Sequence, residues 1–284
     1  MKRNVIMTSS DSKFGDFLID HFLKSIEKNV TLLDTDIVIF DYGLTTGQKE
    51  RLKGKNVKVV KCNRDGHVVI IRFRDMLNFL KRHKYKQILS CDGGDIIFQN
   101  DIVHLFYKDE DKFRAGCEEK GFPFNELLIK FQKSIDPSRI DEIKRTIKNK
   151  KGINGGVIIA PREKFMRFCK MCNDLIIDKS KYGPDQLILN YLLYKEGFAR
   201  LPRTYNYFLY AVDDVFEIKD GKFYDGTNNL VYIVHNSGTN SFMRAIKNFG
   251  YGIGFNKVKY IRYYLVRIFL KISNWIYPLS HQYE

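Results

Sequence analysis

Ile88-Leu-Ser-Cys-Asp92-Gly-Gly-Asp95-Ile-Ile-Phe98 ends a short apolar run with two carboxylates at the point where the pattern stops. Carboxylate oxygens are the hard ligands that Mg²⁺ and Mn²⁺ prefer, and such ions are commonly shared between one or two protein carboxylates and the phosphates of a substrate. The two glycines let the backbone turn and admit a bulky ligand. The same residues also read as an ordinary strand-end turn, because Asp and Gly are frequent turn formers. Their meaning depends on what accompanies them.

Upstream, short strand patterns at Asn4–Met7, Asp36–Tyr42, Val57–Lys61 and Gln87–Cys91 alternate with helical spacing. Phe14, Phe17, Leu18, Phe22 and Ile26 mark one helix over Phe14–Glu27, and Phe73, Met76, Leu77 and Leu80 another over Arg72–Arg82. This alternation predicts an α/β domain whose parallel sheet is covered by helices. Asp92 and Asp95 then fall at the carboxyl end of the fourth strand, where open α/β sheets bind ligands.

From Glu118 to Lys151 the pattern is mixed and mostly helical. It closes in Lys144-Arg-Thr-Ile-Lys-Asn-Lys-Lys151, either a solvated helix face or an acceptor-facing insertion. Strand character returns at Gly156-Val-Ile-Ile-Ala160, followed by a helix through Lys179 and another beginning near Pro184. No internal repeat or long low-complexity linker interrupts the chain.

A chain of 284 residues that is 44% hydrophobic can bury one substantial core. The expected organisation is a catalytic-sized domain over 1–250, with a helical insertion at about 118–151, and a basic tail over 251–284. Met1-Lys-Arg-Asn-Val-Ile-Met-Thr-Ser-Ser has no apolar signal region, and no segment approaches a membrane span, so a cytoplasmic location is expected. The five cysteines are odd in number and scattered, which argues against a disulfide framework. Cys169 and Cys172 form a CxxC on a helical pattern with no second ligand pair, and read as packing residues. The net charge of +15 points to an acidic partner such as phosphate or an anionic membrane. A general bias toward Lys, Ile, Asn, Phe and Tyr would also raise the charge, so its placement matters more than its total.

Three later segments supply what a metal–diphosphate site needs. Ile153-Asn154-Gly155-Gly156-Val157 puts an amide and two glycines before a buried strand, Gly183-Pro184-Asp185-Gln186 opens a helix, and Val231-Tyr-Ile-Val-His235-Asn-Ser-Gly238 ends a strand with a histidine. Each also has a plain explanation: a turn, a favourable first helical turn, a satisfied polar residue. In this order, and with Asp41-Tyr-Gly-Leu-Thr-Thr-Gly-Gln48 after the second strand, they resemble the GT-A fold glycosyltransferases of family 8. That group contains glycogenin and bacterial lipopolysaccharide galactosyl- and glucosyltransferases. The resemblance runs from about Val5 to Gly238.

The resemblance implies a Rossmann-like mixed sheet flanked by helices and a retaining hexosyltransferase of lipopolysaccharide or other cell-surface glycan synthesis. It implies a UDP-sugar donor, a saccharide or glycolipid acceptor, and Mn²⁺ or Mg²⁺ as cofactor. Asp95 matches the last acid of the Asp-x-Asp motif, and His235 the histidine that completes the metal site. Asn154, Gly155, Asp185 and Gln186 match residues around the donor sugar, with Asp185 and Gln186 at the reacting centre. Arg72 and Arg74 stand where basic residues reach the sugar and phosphates, Thr8, Ser9 and Asp11 where uridine is bound, and Gly238 in the segment that follows the metal histidine. Two departures stand out. Gly93 occupies the first position of Asp-x-Asp, leaving Asp92 one residue early, and residues i and i+3 of a flat strand face opposite sides. Only a Gly-Gly turn brings Asp92 and Asp95 to one ion. The lysine expected after the His-x-x-Gly segment is missing, and Arg244 takes its place.

The chain closes with Asn256-Lys-Val-Lys-Tyr-Ile-Arg-Tyr-Tyr-Leu-Val-Arg-Ile-Phe-Leu-Lys-Ile-Ser-Asn-Trp-Ile-Tyr277. Ile261, Tyr264, Leu265, Ile268, Phe269, Ile272, Trp275 and Ile276 follow helical spacing, while Lys259, Arg262, Arg267 and Lys271 gather on another face. A basic, aromatic amphipathic helix of this kind lies in an anionic membrane interface; a last helix docked on the domain's own core has the same pattern. Two other functions share parts of the pattern. A sugar nucleotidyltransferase would carry a Gly-rich basic phosphate loop after the first strand, which Met7-Thr-Ser-Ser-Asp11 lacks. A non-catalytic polyanion- or membrane-binding protein on a degenerate transferase fold would bind without nucleotide selectivity. The basic residues lack the aromatic interleaving of a nucleic-acid groove, so no nucleic-acid partner is expected.

Overall fold

The computed structural model describes residues 2–117, 131–209, 216–238 and 244–252, together with Leu265, Ile268 and Ile272. Four aliphatic runs form the parallel half of the main sheet: β1 (Asn4–Ser10), β2 (Thr35–Asp41), β3 (Lys58–Lys61) and β4 (Gln87–Cys91). Helix α1 between β1 and β2 changes register along its length, α over Gly15–Phe17, π over Leu18–Leu23 and α again over Lys24–Asn29. Helix α2 (Thr46–Leu52) begins with a capping box: the Thr45 hydroxyl accepts from the Gln48 amide, and the Gln48 side chain accepts from Thr45. Helix α3 (Val68–Arg82) leads into β4. Successive residues alternate between faces, so Val5 and Met7 enter one core and Ile6 the other. Lys58 and Lys61 keep the β3 edge exposed and charged, which discourages pairing with another strand.

The seven-stranded sheet runs β3-β2-β1-β4-β7-β6-β8, with β6 (Phe113–Cys117), β7 (Ile153–Pro161) and β8 (Phe198–Arg200). The parallel arrangement expected of the first half is present in β1 to β4, and β6 and β8 run parallel to each other in the same direction. β7 is antiparallel to both β4 and β6, so the sheet is mixed. An apolar strand buried on both faces reads the same in either direction, which is why its pattern does not reveal orientation.

Helices α3, α4 (Pro137–Ile147), α5 (Arg162–Leu175) and α6 (Pro184–Glu196) contribute to one core, and α1 to the other. The helix expected through Lys179 stops at Leu175, because Ile176 leaves it to bridge Ile135 and the Ile177 amide donates to Ser134. Cys169 and Cys172 are fully buried in this core, the packing role expected of them. In the 118–151 insertion, the described part is helical over Gln132–Ser134 and α4; residues 118–130 lie outside the described residues.

A second, three-stranded sheet has the order β5-β12-β9, built from β5 (Ile96–Phe98), β9 (Tyr207–Phe208) and β12 (Ile233–His235), with the β10–β11 hairpin (Glu217–Lys219, Lys222–Tyr224) nearby. Its own small core contains Ile97, Tyr207, Phe223, Val234 and Phe249. This sheet positions the site. β12 runs antiparallel to β5 with His235 opposite Ile96, and the Asn236 amide donates to the Asp95 carbonyl across 2.9 Å.

Candidate active site

β4 ends at Cys91, and the Asp92 amide donates to the Gly156 carbonyl on β7 across 3.1 Å. The chain then turns through Gly93 and Gly94 before entering β5. Both glycines are required by close approach. A Cβ on Gly93 would stand 2.5 Å from Thr8 Oγ1, and one on Gly94 would stand 2.7 Å from the Phe14 ring. The turn therefore packs against the end of β1 and the segment that follows it, and it brings Asp92 and Asp95 to the same side. His235 Nε2 lies 3.4 Å from Asp95 Oδ1 and 3.9 Å from Asp92 Oδ2. Ligand atoms of the three side chains all fall within 4.8 Å of one another.

These residues fit a divalent cation. Cis ligands of an octahedral ion with bonds of about 2.1 Å stand about 3 Å apart, shorter than the 3.4 and 3.9 Å from His235 to the two carboxylates, so the three side chains would draw together on an ion. Asp95 Oδ1 and His235 Nε2 are buried without hydrogen-bond partners, an arrangement that costs free energy unless a cation or proton satisfies both. Two carboxylates with one imidazole suit Mn²⁺, and the carboxylates alone suit Mg²⁺.

Beside the cluster lies a buried charge network. Arg72, on α3, donates from Nη1 to Asp92 Oδ1 across 2.6 Å and places Nη2 3.9 Å from Asp185 Oδ2. Burial opposes the Arg72 charge, but Asp92 and Asp185 outweigh it and hold the guanidinium cationic. Asp185 stands in the first turn of α6, which Pro184 opens after Gly183 at φ 105°. Its carboxyl is pushed up to about 6 by burial, with Arg72 opposing and Asp92 reinforcing the shift. The next residue, Gln186, accepts from the Gly155 amide through Oε1 at 3.2 Å, and Asn154 Oδ1 accepts from the Gly156 amide at 2.7 Å. Gly155 and Gln186 are thus joined, and Asp185 is linked through Arg72 to Asp92, which stands with Asp95 and His235.

The remaining residues singled out in the sequence divide. Thr8 is buried beneath Gly93 with its hydroxyl unpaired, Ser9 is half-buried, and Asp11 pairs with Arg64 at 3.0 Å. Arg244 reaches Asp95 Oδ2 and the Gly94 carbonyl, each at 3.4 Å, and lies 5.4 Å from the centre of the Phe14 ring. Gly238 follows β12 in the loop leaving His235. Arg74 is not brought into the cluster: it is held by Asp65 at 2.6 Å and by Asp75 at 3.0 Å. The Asp41–Gln48 segment supports the site from behind. Asp41 accepts from the Gly43 and Leu44 amides, and Gln48 donates to the Ser12 carbonyl. Sequence reasoning missed Phe14 and Asn206, both of which touch residues of the cluster. Phe14 reads in the sequence only as an apolar helix position, and a single amide in a connecting segment carries no motif signal.

A mixed seven-stranded sheet, flanked by helices and bearing an acid–histidine cluster beyond the end of β4, defines a GT-A fold. The chain is similar to the galactosyltransferase LgtC in complex with donor and acceptor sugar analogs, with 17% identity over 94% of this chain and 96% of that one and a TM-score of 0.55. It is similar to an active-site mutant of LgtC, in which a glutamine is replaced by glutamate, with 16% identity over 94% and 96% of the two chains and a TM-score of 0.56. The apo structure of the bifunctional glycosyltransferase WbbM is also similar, with 15% identity over 97% of this chain but 51% of that one and a TM-score of 0.56. At these identities the likeness is one of fold. No sequence-family profile matches this chain, and no curated protein does.

Proposed function

We propose that this protein is a metal-dependent glycosyltransferase that moves a hexose from a UDP-sugar to a saccharide or glycolipid acceptor, with retention at the anomeric carbon. The observation that carries the reading is the convergence of Asp92, Asp95 and His235 beside the buried Arg72–Asp185 pair. In the transfer, the bond from the anomeric carbon to the diphosphate oxygen breaks, a bond to an acceptor hydroxyl oxygen forms, and the hydroxyl proton passes to the released diphosphate. A bound Mn²⁺ or Mg²⁺ would neutralise charge on the departing diphosphate. Asp92, Asp95 and His235 would hold the ion, and Arg244 adds a cation on the same side. Asp185 orients a sugar hydroxyl, Asn154 and Gly155 border the sugar, and the Gln186 amide, fixed by Gly155, supports the oxocarbenium-like centre. Arg72 keeps Asp92 and Asp185 in place, and Thr8, Ser9 and Asp11 border the uridine. No protein carboxylate is assigned as a nucleophile.

Thermal unfolding of metal-stripped protein against UDP, GDP, CDP and ADP, with and without Mn²⁺, tests the reading, since a ligand selective for the native state raises the midpoint. A shift confined to UDP with Mn²⁺ is expected. A response without metal dependence or base preference would leave a non-catalytic polyanion-binding protein as the better account.

The same proposal places the enzyme in the cytoplasm, peripherally at the inner face of the membrane. None of the described helices is long and apolar enough to cross a membrane. Most of the tail helix proposed from sequence lies outside the described residues. Leu265, Ile268 and Ile272 are described: they are helical and 50–53% exposed, an uncovered apolar spacing that supports lipid contact. Deleting residues from Asn256 onward is expected to abolish binding to anionic liposomes and preserve UDP binding. Unchanged liposome binding would refute the tail's role.

A further inference from the structure

Asn206 is buried, 2% exposed, and follows the 3₁₀ turn Arg203–Tyr205. Its Oδ1 lies 3.0 Å from His235 Nδ1, and its Nδ2 lies 3.4 Å from Asn154 Oδ1. A chain of donors fixes the orientation of both amides. The Gly156 backbone N–H can only donate, so the Asn154 atom 2.7 Å from it is the carbonyl oxygen. Asn206 must then present its NH₂ to Asn154 and its own oxygen to His235. That oxygen requires a proton on Nδ1. When the ring is neutral, Nε2 is left with a lone pair directed at Asp95 Oδ1 and Asp92 Oδ2, 3.4 and 3.9 Å away. The other tautomer would set two acceptors, Nδ1 and Asn206 Oδ1, against each other.

From this geometry we infer that Asn206 is a positioning residue that locks His235 in the Nδ1–H tautomer and so presents Nε2 to the cation. The inference rests on the metal site of the proposed function. Packing reinforces the lock. A Cβ on Gly156 would collide with His235 Cε1, and the Phe208 ring lies 5.2 Å from the imidazole, centre to centre. A ring flip would turn a carbon toward the Asn206 oxygen. The relay also joins Asn154, the proposed sugar contact, to the proposed metal ligand, and partners of this kind tune ligand basicity and orientation.

The test uses the full chain, labelled with ¹⁵N-histidine and stripped of metal, at a pH where His235 is neutral. Long-range ¹H–¹⁵N spectra, assigned by the signal lost in His235→Ala, are expected to show Nδ1 protonated and Nε2 bare. In Asn206→Ala the Nε2–H form is expected to appear, with Mn²⁺ affinity, read from the paramagnetic resonance of free Mn²⁺, falling about 10- to 100-fold. Asn206→Asp keeps an oxygen against Nδ1 and is expected to restore the tautomer and most of the affinity. An Nε2–H signal in the wild type overturns the inference, whatever the variants do. So does an Asn206→Ala protein with unchanged tautomer and Mn²⁺ affinity. A wild type that shows the Nδ1–H form but takes up no Mn²⁺ would sink the metal reading while upholding the lock, so the two failures are distinguishable.

Discussion

Arg72 donates to Asp92 across 2.6 Å, tying a buried helix to the turn that carries the proposed metal ligands. The Arg72 side chain is 5% exposed, and its second partner, Asp185, only 2%. Two carboxylates therefore share one buried cation, Asp185 buried with it and Asp92 33% exposed to water.

Replacing that cation leaves both acids uncompensated. Arg72→Met is expected to cost about 3–5 kcal/mol in urea unfolding, the scale for removing one partner of a buried charge pair. In an Asp185→Asn background the same substitution should cost measurably less, because one of the stranded charges is gone. Strict additivity would show that Arg72 and Asp185 are energetically independent.

Asp185 gives stability a pH dependence of definite sign. Its carboxyl is raised from an ordinary 3.8 to about 6, chiefly by burial. The native state therefore holds a proton that the unfolded chain has released. The stabilisation is complete below the unfolded value and is lost as pH rises through the folded one. It amounts to on the order of 2–3 kcal/mol. Asp185→Asn should flatten the melting temperature between about pH 4 and 6 and raise it at pH 7. An unchanged slope would show that Asp185 titrates normally.

Metal binding should depend unequally on the three ligands. Asp95→Asn removes the charge of a carboxylate whose Oδ1 is buried without a hydrogen-bond partner, and His235→Ala removes Nε2, which is buried likewise. Both are expected to lower Mn²⁺ affinity by more than about 100-fold, beyond the loss typical of an outer partner. Asp92→Asn should lose less, since Asp92 is shared with Arg72 and its carboxylate stands farther from His235. Calorimetric titration of metal-stripped protein ranks the three, and equal losses would contradict the unequal geometry.

Gly94→Ala should push the turn and Phe14 apart, because the added carbon would stand 2.7 Å from the ring. Overpacking of this kind costs about 1–3 kcal/mol. Combining it with Phe14→Ala makes room, and the double variant should unfold with less than the summed loss of the two single variants. A sum without interaction would show that the turn takes up the added carbon without pressing on Phe14.

Much of the fold is legible in sequence because alternating burial leaves a period that physics enforces residue by residue. The helical spacing of Phe73, Met76, Leu77 and Leu80 marks α3, and the apolar run Gln87–Cys91 coincides with β4. The candidate ligands were legible for a related reason: acids, glycines and a histidine at strand ends are chemically distinct from the runs they interrupt. Partners chosen through space were not. Nothing local to Arg74 says that it binds Asp65 and Asp75, while Arg72, two residues earlier on α3, points into the cluster.

By itself the sequence determined β1 to β4 and β7, helices α1, α3, α5 and α6, their order, and the residue types available at the carboxyl edge of the sheet, since propensity and burial period act over a few neighbouring residues. The tertiary structure decided the rest: the antiparallel direction of β7, the pairing of β12 with β5 that carries His235 to Asp95, and the approach of Asn206 to the imidazole. Each of these is a contact between segments distant in the chain. Their geometry is set by how whole elements pack, and a strand pattern that is unchanged by reversal carries no record of it.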